Sequence, residues 1–212
     1  MSKITGIEIQ KRNKNRVNLY VDNEYLLSLQ AELVYKYNLS KNQEIDEEKL
    51  LEIARADDYE KAKNKALNSL SKVEKSEKKI REKLSADFDE EVIEDVIEFL
   101  KKHELVDDER FAEMIVSNDL NFKRVGKNRI KQNLYTKGIK REYIESAISD
   151  IDSDVELENA IYLAKKRLPR IKDKDINKVK NKLYQHLSYK GFSYDIIKSA
   201  IREVLEEDSY WE

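Results

Sequence analysis

The sequence has no cysteine among its 212 residues, which removes disulfides and thiolate metal sites. Its only histidines, His103 and His186, lack the paired spacing of a zinc-binding helix. No run approaches the roughly 18 apolar residues of a membrane span. The opening MSKITGIEIQ has no apolar signal-peptide core, so a soluble, cytoplasmic protein is expected. One proline, Pro169, and four glycines leave no long flexible linker. No glycine loop is built to cradle phosphate, since Gly126-Lys127 lacks the upstream glycine and follows a helical pattern. No nucleophile has a base near it in sequence, and the carboxylates lie in acidic helical faces rather than a shaped pocket. These absences predict a protein that is not an enzyme, with no cofactor and no bound metal.

What is present is charge. Charged residues make up 40% of the chain and hydrophobic ones another 40%, at a net charge of -2. So many charges favour an extended, helix-rich shape with much surface. Any polyanion site must come from local segregation of charge.

In chain order, Ile4, Ile7 and Ile9, then Val17, Leu19 and Val21, show the alternation of half-buried strands. Asn13-Lys14-Asn15 and Asp22-Asn23 supply turns before Tyr25–Leu29. Residues 1–57 therefore read as a small β-meander with two short helices, Ala31–Tyr37 and Glu47–Ala54. From Tyr59 the chain reads as helical to its end, with a repeat of about 50 residues. Ile80 and Leu84 match Ile130 and Leu134, then Leu183 and Leu187. A stop follows at Asp87, Gly138 and Gly191, each assigned a left-handed position. Asp89 and Ser193 are expected N-caps for the third helices, and Lys140 is a poor one. Those helices match best, through Ile93, Val96 and Ile97, Ile144, Ala147 and Ile148, and Ile197, Ala200 and Ile201. The expected class is mainly α: three-helix repeats at 58–106, 107–152 and 153–212, stacked into a curved, elongated rod.

Basic residues concentrate around the second helix of each repeat. The first carries Lys72, Lys75, Lys78, Lys79, Arg81 and Lys83. The second carries Lys123, Arg124, Lys127, Arg129, Lys131, Lys137, Lys140 and Arg141, and the third Lys165, Arg167 and Arg170 among others. Acid gathers at Asp87–Asp95, Asp150–Glu158 and Glu203–Glu212. Stacked repeats would align the basic helices into a stripe suited to a nucleic-acid strand or a nucleoprotein filament. Tyr135, Tyr184 and Tyr189 lie nearby, but their helical spacing favours core or boundary positions over base stacking. No helix carries a base-reading arrangement of arginine and asparagine, so phosphate contact should dominate.

The stretches DDERFAEMIV, VGKNRI and NLYTKGI, with ALNSLSKVEKSEKKIREKL before them and ITGIEIQ and RVNLYVDNEYLLSL at the start, resemble the RecX family. These are bacterial regulators of the RecA recombinase. Gln132-Asn133 departs from the charged pair usual there, and Val73, Glu74 and Lys79 depart from the first repeat's pattern. The resemblance implies tandem three-helix units, no enzymatic activity, and binding in the groove of the RecA filament on single-stranded DNA. It further implies damped recombinase ATPase and strand exchange, and so an effect on recombination, repair and the SOS response. Direct DNA binding is implied as well. A monomer is expected, since no heptad seam is present. The alternatives are a direct nucleic-acid binder using helix-turn-helix-like units without a recombinase, and a helical scaffold that binds protein alone.

Overall fold

The computed structural model describes residues 2–208; the acidic end expected over Glu203–Glu212 lies outside them from residue 209. The chain forms two compact units, one of residues up to Glu74 with Ile80–Leu105, the other of Lys75–Lys79 with Val106 onward.

In the first unit, β1 (Ser2–Ile9), β2 (Arg16–Val21), β3 (Glu24–Gln30) and a two-residue β4 (Glu44–Ile45) form an antiparallel sheet in the order β3-β2-β1-β4. The expected meander thus gains a fourth, minimal strand on its β1 edge. Asp22 (φ 50°) and Asn23 (φ 69°) make the tight β2–β3 turn, the geometry a two-residue hairpin needs. A register shift between Ile4 and Gly6 inserts one residue and brings Ile4 onto the same face as Ile7 and Ile9, opposite Val21, Leu19 and Val17. Ile4 is buried and Ile7 packs against the same core, while Ile9, at the end of β1, is exposed. With Val17, Leu19 and Leu29, Ile4 joins a core that α1 (Ala31–Lys36) covers through Leu33.

The second short helix is corrected. It is the start of α2, a 24-residue helix running Glu47–Leu70, so the expected boundary at 57/58 falls inside one helix. Asp46 caps it through the Lys49 N–H, and no glycine or proline interrupts it. Ile53 packs on the sheet while Ala62 and Ala66 are buried farther along. Asp57, buried between them, accepts from Arg16 and from the Gln30 N–H.

α2 leads to α3 (Glu77–Leu84) and α4 (Glu90–Lys102), which contribute buried Ile80, Leu84, Ile93, Val96 and Ile97. Asp87 does not take the left-handed position assigned to it. The Phe88 N–H bonds Leu84 O to close the helix, and the Asp87 carboxylate pairs with Lys65. Asp89 sits at the N-cap of α4 without a side-chain bond. Unforeseen left-handed residues include Asn38 (φ 49°) and Asn42 (φ 73°) after α1, and Glu104 (φ 55°) and Arg124 (φ 51°), which follow α4 and α5.

The second unit holds α5 (Asp108–Asn121), α6 (Lys127–Lys137) and α7 (Arg141–Ser149), then α8 (Ser153–Arg167), a 3₁₀ turn (Leu168–Arg170), α9 (Ile176–Tyr189) and α10 (Tyr194–Asp208). Gly138 (φ 83°) and Gly191 (φ 87°) take the left-handed position after α6 and α9, where a Cβ is penalised. Each triplet has its own core, around Ile130, Leu134 and Ile144 in one and Leu183, Leu187 and Ile197 in the other.

The starts of α3 and α6 are each closed by the following repeat. The Glu77 N–H donates to Asp108 Oδ1 at 2.8 Å, and the Lys127 N–H to Glu156 Oε1 at 2.8 Å. Ser76 Oγ donates to Lys137 O, while at the matching place the Gly126 N–H donates to Lys190 O. Helix N–H groups without an intrahelical acceptor thereby become the joints between repeats.

Candidate nucleic-acid interface

α6 has two polar faces beside its Ile130 and Leu134 stripe. Lys127 and Lys131, four residues apart, share one; Arg129, Gln132, Asn133 and Thr136 share the other. Because the Gly126 and Asn128 N–H groups bind Lys190 O and Gly191 O, the end of α9 is fixed alongside the second face. A cleft of about 670 Å³ results, walled by that face, by Lys123 and Asp119 from α5 and the turn after it, and by Tyr189 and Lys190.

Asp119 is buried and accepts from Lys123 Nζ at 2.6 Å and from Asn133 Nδ2 at 2.8 Å. Its charge is thus satisfied from inside. Arg129 donates to Gln132 at 3.1 Å and lies 5.8 Å from the Tyr189 ring. Neither Arg129 nor Lys190 pairs with a carboxylate among the described residues. Tyr189 is 73% exposed, with Tyr135 and Tyr184 also exposed, contrary to the core or boundary positions their spacing favoured. Nearby on α9, burial first, then Arg167 and Lys190, hold His186 below its ordinary value. The cleft can therefore hold an anion between unneutralised cations, beside an exposed ring and several amide donors.

Of the residues singled out from sequence, Lys123 and Arg129 meet in this cleft. Arg124 turns away and stacks 4.0 Å over Tyr162 of α8. Lys127 donates to Ile151 O at 2.8 Å. Lys131 and Arg141 both engage Glu145, and that bonding, Lys131 first, holds the Glu145 carboxyl below the usual range. Lys137 lies 5.7 Å from the Phe111 ring, and Lys140 is the exposed N-cap of α7. Lys165 and Arg167 end α8, where positive charge complements the helix dipole, and Arg170 is exposed in the 3₁₀ turn. Sequence reasoning missed Asp119, Thr136 and Lys190, and noted Gln132-Asn133 only as a departure. Among the described residues, no cluster of three or more carboxylates or histidines could hold a metal, and no helix is long and apolar enough to cross a membrane.

Four family profiles match in order: the regulatory protein RecX N-terminal domain over residues 2–46, and the first, second and third RecX three-helix domains over 62–100, 107–148 and 154–201. The regulatory protein RecX of Clostridioides difficile (strain 630) is 54% identical over 210 residues, spanning 99% of both chains. The chain belongs to the RecX family. The regulatory protein RecX of Clostridium botulinum (strain Alaska E43 / Type E3) is 39% identical, over 99% of this chain and 100% of its own. A crystal structure of regulatory protein RecX superposes with a TM-score of 0.72 at 32% identity, covering 93% of this chain and 98% of the other. That of RecX from Lactobacillus salivarius gives 0.66 at 36% identity, covering 70% and 97%. Three RecX three-helix repeats behind a small antiparallel sheet are therefore its architecture.

Proposed function

We propose that this chain, a member of a family of regulatory proteins, regulates the RecA recombinase by binding its filament on single-stranded DNA. In this reading it damps recombinase ATPase and strand exchange, and performs no chemistry of its own. It works as a cytoplasmic monomer whose repeats are separate binding units. The observation that carries the reading is the cleft beside α6, where Arg129 and Lys190 have no carboxylate partner among the described residues, in a chain otherwise rich in ion pairs. Unneutralised cations beside an exposed tyrosine suit a phosphate chain whose bases are accessible. Lys123 lines the cleft with them, and Lys140, Arg167 and Arg170 are the further candidate contacts.

The test is recombinase ATPase on single-stranded DNA, titrated with the wild-type chain and with Arg129→Glu/Lys190→Glu. Reversing two phosphate contacts should raise the half-inhibitory concentration by about tenfold or more and flatten its salt dependence. Unchanged inhibition by a folded variant refutes the cleft as the contact. Inhibition far below one copy per recombinase subunit supports action at filament ends; inhibition only near saturation supports binding along the groove.

Exposed Tyr189 beside Gln132 and Asn133 also favours a second reading, direct binding of single strands without a recombinase. Anisotropy of a labelled oligonucleotide near physiological salt separates the two. Tight binding there, with no effect on ATPase, selects the second.

A further inference from the structure

The third repeat differs from the other two at one matched pair of positions. One residue after Ile80, Ile130 and Leu183 stand Arg81, Lys131 and Tyr184. One residue after Ile93, Ile144 and Ile197 stand Glu94, Glu145 and Lys198. In the first two repeats these positions form an ion pair between second and third helices, at 2.8 Å for Arg81–Glu94 and 2.9 Å for Lys131–Glu145. The third has a tyrosine and a lysine there, and no such pair forms. A groove of about 640 Å³ lies between α9 and α10 instead. Ile201 and Leu205 form its base, while Ile176, Tyr184 and Tyr194 line it with 50%, 40% and 62% of their surface exposed. The two tyrosine rings meet edge to face at 6.3 Å. Among the described residues, Lys180, Lys198 and Arg202 stand at its rim with a single acid, Glu206.

We propose that this groove is a docking site for an acidic amphipathic helix from a partner protein. Helix-in-groove recognition needs an apolar seam for residues spaced three and four apart and flanks of opposite charge. Both are present, and the excess of cations over acids at the rim selects an acidic partner. The aliphatic base argues against a nucleic-acid strand, because isoleucine and leucine offer no face on which bases stack. Large apolar side chains gathered in one exposed patch mark an interaction surface. The groove shares no lining residue with the cleft beside α6, so the proposal stands independently of the filament reading.

The probe is a synthetic peptide of about 14 residues, with leucine and phenylalanine at every third and fourth position and glutamate elsewhere. Labelled at one end, it is titrated with the full chain and followed by anisotropy. Binding in the micromolar range is expected, weakened about tenfold by Lys198→Glu/Arg202→Glu and comparably by Tyr184→Ala. All these side chains are exposed, and unchanged melting temperatures verify that the variants fold. Failure to bind, or equal binding by the variants, overturns the proposal. Displacement of the peptide by a single-stranded oligonucleotide assigns the groove to nucleic acid and overturns it. A sedimenting mass that doubles with concentration, and no longer does so in Tyr184→Ala, assigns the groove to a second copy and overturns it as well.

Discussion

Gly126→Ala adds a single methyl group where two repeats meet backbone to backbone. Gly126 has φ -77° and ψ 163°, a conformation open to any residue, so the substitution carries no torsional strain. Its cost is spatial. A Cβ there would lie 2.5 Å from the carbonyl carbon and oxygen of Gly191 and from the nitrogen of Phe192. Main-chain atoms cannot rotate aside, so the two segments must separate. Separation lengthens the Gly126 N–H to Lys190 O and Asn128 N–H to Gly191 O bonds, now 3.0 and 3.1 Å. Overpacking of this kind costs about 1–3 kcal/mol, and each weakened hydrogen bond about 1 kcal/mol or less. Because the two effects share one displacement they do not add in full, and about 3 kcal/mol is expected. For a chain of this size that corresponds to a fall of about 6–12 °C in melting temperature.

The assay is thermal melting by circular dichroism, with amide exchange at Asn128 as a local report. Gly6→Ala is the control: its Cβ meets Tyr20 Cδ2 at 3.2 Å, and a ring can tilt, so the loss should stay below about 1 kcal/mol. Gly191→Ala should exceed both, since its φ of 87° adds a left-handed penalty of about 1 kcal/mol to a clash with Arg129. The joint also holds Lys190 and Tyr189 against α6, so Gly126→Ala should weaken oligonucleotide or filament binding as well. Melting within about 2 °C of wild type, with Asn128 still protected, would refute the close-approach argument.

Asp57→Ala removes a carboxylate 2% exposed that receives Arg16 at 3.0 Å and Lys61 at 2.7 Å. Breaking it should cost about 3–4 kcal/mol, read as a lower urea midpoint for the first unit. Asp119→Asn keeps the shape of the cleft floor but loses the charge holding Lys123. A loss of about 1–2 kcal/mol is expected, with little loss of anion binding, because Lys123 is freed. His186 has a folded-state value below its ordinary 6.5, through burial, then Arg167 and Lys190. Above 6.5 the ring is neutral in folded and unfolded chains alike. As pH falls from there toward the folded value, the unfolded chain takes the proton first, so stability declines. His186→Gln should therefore melt with a shallower loss as pH falls below 6.5, and an unchanged slope would remove His186 from that account.

The repeats were legible because periodicity is a statement about the core. Ile130, Leu134 and Ile144 had to face inward once α6 and α7 were helices, and Gly138 and Gly191 fell at helix ends where only a left-handed residue closes the turn. The first repeat misled for the same reason. Asp87 sits where glycine sits in the other two, but a turn one residue shorter needs no positive φ, and its carboxylate serves Lys65 instead. The short helix expected over Glu47–Ala54 instead runs on through Asp57 and Asp58 to Leu70. Asp57 is the buried partner of Arg16, 41 residues away in sequence.

The candidate site was less legible, because clustering in sequence counts cations without counting what neutralises them. Lys127, Lys131 and Arg141 fall within one basic run, yet a backbone carbonyl and Glu145 occupy them. Lys190 belongs to no such run and remains without a carboxylate partner among the described residues. Its role comes from Gly191, whose contact with Gly126 carries the end of α9 to Arg129. Gln132-Asn133 reads as a lost charged pair along the helix. In the folded unit Asn133 satisfies the one acid in the cleft and Gln132 orients Arg129. A charged pair there would bring an acid beside Arg129 and neutralise it, or set a cation competing with Lys123 for Asp119. The uncharged pair is what leaves the cleft positive, so Gln132→Glu should weaken anion binding by severalfold without lowering the melting temperature. An anion affinity unchanged by that single added charge would mean Arg129 is not in the contact.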